Sequence, residues 1–328
     1  MHLTGKIDIR ATALEPIVHG AGTSGNTQLL RQQEIQQPDG TLTRVPFVSG
    51  NSVKRIIRAC SVQYALDAMA VEDRSLTKAE VDLLFSGGHL SKSGAAVDLE
   101  QARRLEALFP PLSLCGYSAG NTMTESKIAV SHLHVVCKEN EWRVPDDLLG
   151  HPSLAVRVGM LRADEFGTRH DQANKHAGRR LLTGEADGTQ VKRKTKALKE
   201  PTGDGPAERG DSAQMIYEFA AIAAGATLWG SIRVAELTEL EQAALASAFH
   251  YAAVDRRGDA LVIGVGAKNA IGYGALKVEL RGSIRVAPPQ FVETSALTTA
   301  GDALGARYTA HMRERKAEIL DALRAAVS

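Results

Sequence analysis

A glycine-rich segment from residue 264 to 274, GVGAKNAIGYG, contains residue types that let a backbone come close to a ligand. Glycine has no Cβ, so a second chain can approach its backbone closely, and four glycines recur here: Gly264, Gly266, Gly272 and Gly274. Lys268 and Asn269 lie at the predicted loop tip, where they can meet phosphate or 2′-hydroxyl groups. A dinucleotide-binding fingerprint is excluded, because Asn269 occupies the position of its third glycine. A plain glycine turn between two packed strands is the alternative.

A second group of polar residues lies at a predicted helix start. Ser49, Asn51 and Ser52 are capping residues for a helix over about 53–69. The amides of a helix N-terminus attract anions, and three cations follow within about two turns: Lys54, Arg55 and Arg58. The alternative is a capped helix with a solvated basic face.

A basic segment occupies the middle of the chain. From residue 169 to 199, nine Lys or Arg face three acids, a local balance of +6. So long an irregular stretch inside a compact domain is usually functional or disordered. A solvated loop is the alternative.

Metal chemistry is not predicted. His132 and His134 share one face of a predicted strand, but no third ligand is near in sequence. The three cysteines, at 60, 115 and 137, are far apart and form no Cys-x-x-Cys pair, which argues against zinc and against a disulfide framework. We therefore expect no metal and no cofactor.

Composition bounds the possible functions. Hydrophobic residues make up 44% and charged residues 23%, as in ordinary globular proteins. The net charge of +1 and the aromatic content of 5% argue against a broadly basic surface or a base-stacking platform. Any RNA would be held by its backbone along a local basic track.

No apolar run is long enough to span a bilayer, and the N-terminus has no signal-peptide core, so we expect a cytoplasmic protein.

Hydrophobic periodicity places these residues on elements. Strands are predicted over about 5–17 and 127–138, a strand hairpin over 214–234 that turns near Ala224-Gly225, and a strand, the glycine-rich loop and a further strand over 261–280. Helices are predicted over 53–69, 77–86, 97–109, 238–254 and 301–326. Capping boxes are predicted at two helix starts, Thr77 with Glu80 and Thr238 with Glu241. Pro38-Asp39-Gly40 predicts a hairpin turn, and Pro110-Pro111 is expected to end the third of these helices. Without its insertions, the order is strand, helix, strand, strand, helix, strand. This predicts an α+β fold of the ferredoxin-like or RRM-like type.

Two motifs together resemble a known family. One is the glycine-rich segment, which has the pattern hydrophobic-G-x-G-x(5)-G-x-G. The other is the run from Gly20 to Arg58, whose helix start matches P-x-x-x-G-[SN]-S-[LV]-[KR] at 46–54. Together they resemble the RAMP superfamily of CRISPR-associated proteins, and most of all the Cas-seven-type backbone subunits of type IV effector complexes.

The resemblance implies one RAMP subunit over 1–328. Its palm core would occupy about 1–64, 125–163 and 213–284, with a helical insertion at about 65–124. A thumb would occupy about 164–212 and a C-terminal helix about 300–326. Such subunits polymerise head to tail along a guide crRNA, which pairs with target nucleic acid, and they join other CRISPR effector subunits. No membrane partner is implied.

The resemblance and the local chemistry together predict RNA-contacting residues. They are His19, Gly20, Gly22, Thr23, Ser24, Asn26, Arg31, Ser49, Asn51, Ser52, Lys54, Arg55, Arg58, Arg169, Lys175, Arg179, Arg180, Lys192, Arg193, Gly264, Gly266, Lys268 and Asn269.

Catalysis is not expected. Type III relatives cut target RNA with an Asp in the first glycine-rich loop, and Asn26 occupies that position here. An amide can neither act as a general base nor neutralise a metal. Glu34 lies nearby in sequence, whereas Asp39 belongs to a turn. The alternative function is a RAMP-type endoribonuclease that processes guide precursors, with His19 or His132 as its catalytic histidine.

Overall fold

The computed structural model describes residues 3–25, 27–88, 98–169, 215–258, 260–286, 290–293 and 301–327. Most of the predicted thumb lies outside these ranges, as do six of the predicted RNA-contacting residues: Asn26, Lys175, Arg179, Arg180, Lys192 and Arg193. Arg169 is the last residue before the gap that begins at 170. Within the described ranges, no helix combines the length and the apolar character that a membrane span requires.

The described strands are, in chain order, β1 (Leu3–Ala13), β2 (Gly20–Ser24), β3 (Thr27–Leu30), β4 (Gln32–Gln36), β5 (Leu42–Val48), β6 (Tyr117–Ala119), β7 (Thr122–Thr124), β8 (Ile128–Val130), β9 (Leu133–Val135), β10 (Arg162–Arg169), β11 (Met215–Ile222), β12 (Thr227–Leu237), β13 (Ala253–Arg257), β14 (Ala260–Gly264), β15 (Ala275–Arg281), β16 (Ser283–Val286) and β17 (Gln290–Glu293). The described α-helices are α1 (Gly50–Ala68), α2 (Lys78–Val81), α3 (Leu99–Leu108), α4 (Pro110–Cys115), α5 (Glu239–Ala252), α6 (Gly301–Glu314) and α7 (Lys316–Val327).

The main sheet confirms the predicted α+β fold. Its central strands lie in the order β15, β1, β12, β9 and are antiparallel. Together with α1 and α5 they follow the ferredoxin-like order β1, α1, β9, β12, α5, β15 along the chain. Ile7, Ile9 and Ala11 alternate inward from β1 and pack in one core with Ile57 of α1 and Leu245 of α5. Both helices therefore cover the same face of the sheet.

Further strands widen this sheet at both edges. On one side β14 and β13 follow β15, and on the other β5 and β4 follow β9. The β4–β5 hairpin turns at the predicted Pro38-Asp39-Gly40, where Asp39 Oδ1 accepts from the Thr41 amide at 3.0 Å. This hairpin leads directly into α1, so it sets where the helix start lies.

The helical insertion forms a second core with the end of the chain. Leu105 and Phe109 at α3 pack with Tyr308 of α6 and Leu323 of α7. The predicted capping box between Thr77 and Glu80 is present at the start of α2.

The predicted helix end before Pro110-Pro111 is confirmed, since α3 ends at Leu108. The two prolines also begin α4, because proline at the first helical turn needs no amide partner. The predicted single helix over 301–326 is wrong: it is interrupted at Arg315, and α7 packs on α2 and α3.

A second sheet corrects the predicted 214–234 hairpin. Its order is β10, β11, β3, β2, so β11 pairs with β10 and β3, whereas β12 belongs to the main sheet. The expected turn near Gly225 is present, at φ +83°. Ile17 and Ile222 exchange backbone hydrogen bonds of 2.8 and 2.9 Å, which hold the end of β11 where the two sheets meet.

A buried carboxylate connects α5, α4 and β8. Glu241 closes the α5 capping box with Thr238 and accepts hydrogen bonds from Ser113 Oγ and Lys127 Nζ. Burial opposes its ionisation, but the hydrogen bonds from Lys127, Ser113 and Thr238 outweigh burial and hold the pKa of Glu241 below its ordinary value. The ionised form is therefore the one that stabilises the fold.

We predict that Glu241→Gln lowers the free energy of unfolding by roughly 2 kcal/mol at pH 7, because hydrogen bonds to a buried charge are lost. Since the folded-state pKa is depressed, the contribution exists above the unfolded pKa and is lost as the pH falls through the folded value. Urea unfolding at pH 7 and below pH ~4 measures both effects. The control is Glu239→Gln, a partly exposed member of an ion pair with Arg307, which should cost at most about 0.5 kcal/mol. Equal stabilities of the two variants would contradict the prediction.

Candidate nucleic-acid interface

The glycine-rich loop between β14 and β15 packs against the protein's own backbone. Ala267 N donates to Val18 O at 2.8 Å, and Gly274 N donates to Pro16 O at 2.9 Å. Gly266 and Gly274 have left-handed φ values of +78° and +79°, and a Cβ at either would collide with a carbonyl oxygen. These two glycines are therefore required by a close internal approach.

Side-chain contacts hold the tip of the glycine-rich loop in place. Gly264 and Gly272 flank it, and Gly272 has φ +91° with open space around it. The Asn269 amide lies 3.0 Å from Tyr273 O and 3.1 Å from Val265 O, so it bridges the two sides of the loop. Lys268 Nζ lies 4.5 Å from the centre of the Phe219 ring, a cation–π distance. The predicted ligand donors thus lie beside the base of the β10–β11 hairpin.

The N-terminal loop forms the β2–β3 hairpin, which is open to solvent. Gly22, Thr23 and Ser24 are exposed, and Gly22 has φ +118° with open space where a Cβ would lie. Arg31 is also exposed, and its Nε donates to Gly20 O at 3.3 Å. This hairpin has the accessible small residues that a backbone ligand needs.

Two histidine rings accept hydrogen bonds from backbone amides at the start of α1. Ser49 N donates to His19 Nε2 at 3.1 Å, and Gly50 N donates to His132 Nδ1 at 3.0 Å. Ser49 Oγ caps the helix by accepting from Ser52 N at 3.2 Å. These three amides already have protein acceptors, so the backbone at the predicted helix start has less to offer an anion.

The side chains at this helix start have different exposures. Asn51 and Arg55 are exposed, and Lys54 is half-buried. Arg58 is engaged inside the protein, where its Nη2 donates to Cys115 O at 3.0 Å and Gly116 O at 2.7 Å. Arg58 therefore joins α1 to the end of α4.

Burial lowers the pKa of two histidines in this region. Burial, together with Arg31 and His132, lowers the pKa of His19 to about 4. Burial, together with Arg143 and His132, lowers the pKa of His134 to about 4. Both rings are neutral at pH 7, and as neutral rings they can accept hydrogen bonds.

A metal site at these histidines receives no support from the geometry. His132 Nδ1 is occupied by the Gly50 amide, and the His132 and His134 rings lie 6.0 Å apart at 69°. Among the residues that the structure describes, no group of three or more His, Cys, Asp or Glu is arranged to hold a metal.

The structure joins the predicted motifs through one short segment, residues 16–20. Val18 bridges to Ala267 of the glycine-rich loop, and His19 accepts from the helix start. Gly20 then begins the exposed hairpin. We call the three parts that this segment connects the rim: the β2–β3 hairpin, the start of α1 and the glycine-rich loop. Two predicted RNA-contacting residues, His19 and Arg58, are engaged inside the protein instead.

RRM modules bind RNA on the sheet face that carries no helices, and here residues 138–161 cover part of that face. Trp229 of β12 is 6% exposed and packs with Val144 and Leu148 of this segment. Arg10 of β1 pairs with Asp147 at 2.6 Å. Sequence reasoning missed this cover, because neither partner of the Arg10–Asp147 pair lies in a motif.

Comparison with known proteins adds one finding. No protein-family model matches the chain, and no curated protein matches it in sequence. A chain of a solved structure described as a type IV-B CRISPR complex is similar in three dimensions, with a TM-score of 0.54 and 16% sequence identity. The likeness shows the fold. It covers 84% of this chain and 90% of that chain.

We predict that Gly266→Ala destabilises the protein by at least about 2 kcal/mol, because it combines a left-handed backbone with a collision at Val18 O. Chemical denaturation provides the measurement. Gly159→Ala is the control, since a Cβ there meets nothing within 4 Å, and it should change stability by less than about 0.5 kcal/mol. If Gly266→Ala were as stable as this control, the close approach of the loop to residues 16–18 would be wrong.

Proposed function

We propose that this chain is a non-catalytic backbone subunit of a CRISPR ribonucleoprotein effector that polymerises along a guide crRNA and presents it for pairing. The observation that carries the proposal is that the two predicted motifs, the glycine-rich loop and the run from Gly20 to Arg58, meet at residues 16–20. The fold likeness to a chain of a type IV-B CRISPR complex supports it.

The chemistry of the rim suits a ligand that is held by its backbone. The exposed small residues Gly22, Thr23 and Ser24 leave room for a sugar-phosphate chain. Arg31 and Arg55 provide exposed guanidinium groups for phosphate. The cover over the sheet face argues against base stacking there, as does an aromatic content of 5%. Sequence readout would then be left to pairing between guide and target.

Assembly along RNA needs a repeating contact. A heterologous interface that does not close produces an open helical filament, and a guide strand would set its length. The β10–β11 hairpin is attached next to the rim, where Glu218 accepts from Thr27 at 3.2 Å and Glu165 accepts from Tyr273 at 3.3 Å. In our proposal this hairpin extends as the thumb towards the RNA and the neighbouring copy.

The proposal includes the absence of ribonuclease activity. Asn26, at the position of the type III catalytic Asp, lies outside the described residues. For the alternative function as a processing nuclease, His19 is a poor base, because it is 7% exposed and its Nε2 is occupied by the Ser49 amide.

The decisive experiment is expression with the products of the flanking genes, followed by sequencing of the bound RNA and sizing of the particle. A backbone subunit should elute as a long, heterogeneous oligomer that contains RNA from CRISPR repeats. A monomer or dimer with a single processed hairpin would favour the alternative, and a particle without RNA would contradict the proposal.

We predict that the double change Lys54→Glu and Arg55→Glu weakens RNA binding by about tenfold, equally for unrelated guide sequences, and reduces the salt dependence of binding. Filter binding at several salt concentrations measures both. The control is Arg103→Glu with Arg104→Glu, an equal charge change on exposed residues of α3, which should leave binding almost unchanged. A strongly sequence-dependent loss would count against backbone recognition.

We also predict that the assembled complex leaves complementary RNA intact in the presence of Mg²⁺ or Mn²⁺. Gel analysis of end-labelled target over a time course provides the test. Cuts at regular intervals would show that the chain is an enzyme after all, and Asn26→Asp should then be compared with the unmodified chain.

A further inference from the structure

His132 lies just before β9, at the point where the β8–β9 connection crosses the start of α1. Its Nδ1 lies 3.0 Å from the Gly50 amide. A backbone N–H can only donate, so Nδ1 must be the acceptor, and the neutral ring carries its proton on Nε2. The N–H bond at Nε2 leaves the ring on the side away from Nδ1. The fold therefore selects one tautomer of His132.

The ring is held firmly in this orientation. Phe47 lies 4.5 Å from it, centre to centre, at an angle of 34°. A Cβ at Gly50 would collide with the carbonyl oxygens of Val130 and Ser131, so the chain that carries His132 packs directly on the helix start. A donor fixed in this way loses little conformational entropy when it binds.

His132 differs from the two histidines beside it in one important respect. His19 is 7% exposed, and His134 is partly buried against Gln33 and Trp229. His132 is exposed although its Nδ1 is engaged. The Gly50 contact therefore explains the orientation of the ring but not why the ring faces solvent at the start of α1.

We propose that His132 is an RNA-contacting residue of the rim, whose Nε2–H donates to an oxygen of the guide-RNA backbone. This inference rests on the proposed function and adds to it a residue outside both motifs. Phosphate and 2′-hydroxyl oxygens are both suitable acceptors, and both would make the contact independent of base sequence. His19, by comparison, acts only within the protein as an acceptor for the helix start.

Two substitutions separate the roles of the two ring nitrogens. In His132→Asn, the side-chain oxygen replaces Nδ1 as the acceptor for Gly50, and the distal donor is lost. In His132→Gln, the side-chain NH₂ group replaces the Nε2 donor, and the near acceptor is lost. The full chain should be measured for thermal stability and for binding to a single-stranded RNA of CRISPR-repeat sequence and to DNA of the same sequence.

We expect His132→Asn to unfold at nearly the wild-type temperature but to bind RNA about three- to tenfold more weakly, as for one lost hydrogen bond. His132→Gln should be less stable and bind RNA almost normally. An equal loss on RNA and DNA identifies phosphate as the acceptor, and a loss confined to RNA identifies the 2′-hydroxyl.

The inference is overturned if His132→Asn binds RNA like the wild type while the Lys54 and Arg55 double variant binds weakly. The proposed function would survive that result. If the wild-type chain binds no RNA at all, the proposed function fails, and the inference fails with it.

Discussion

The structure depends above all on the close packing around residues 16–20. Within a few residues, this segment bonds to Ile222 at the end of β11, to Ala267 in the glycine-rich loop and to the amide that begins α1. No Cβ can be accommodated at Gly266, because the carbonyl oxygen of Val18 occupies that space. Because three partners converge on one extended segment, none of them can shift without disturbing the others. The contacts of residues 16–20 therefore fix the relative positions of the three parts of the rim.

The same packing changes how the helix start can act. An isolated helix N-terminus offers free amides to an anion, but here His19 and His132 accept from two of them and Ser49 Oγ from a third. Neutral imidazoles are suitable acceptors, and the burial that lowers the pKa of His19 keeps that ring neutral. The backbone of this helix start therefore has fewer amides available for an anion, and the surrounding side chains become more important for binding.

The two hydrophobic cores pack different parts of the protein together. The first, between the main sheet and α1 with α5, positions the strands that carry the rim. The second joins the helical insertion to the C-terminal helices, with Tyr308 fully buried between them. Residues 138–161 cover part of the other face of the sheet through Trp229 and the Arg10–Asp147 pair. The rim combines glycine-rich loops with the exposed cations Arg31 and Arg55.

Local patterns in the sequence determined much of this protein. Alternation in β1, the capping boxes at Thr77 and Thr238 and the turn at Pro38-Asp39-Gly40 were predictable, because each depends on residues close together in the chain. The ferredoxin-like order followed from them. Tertiary structure alone decided that β11 leaves the expected hairpin for a second sheet, that Arg58 turns inward and that His132 reaches the helix start. The physical reason is that each of these contacts joins residues far apart in sequence, and their side chains carry no local mark of the partner they will meet.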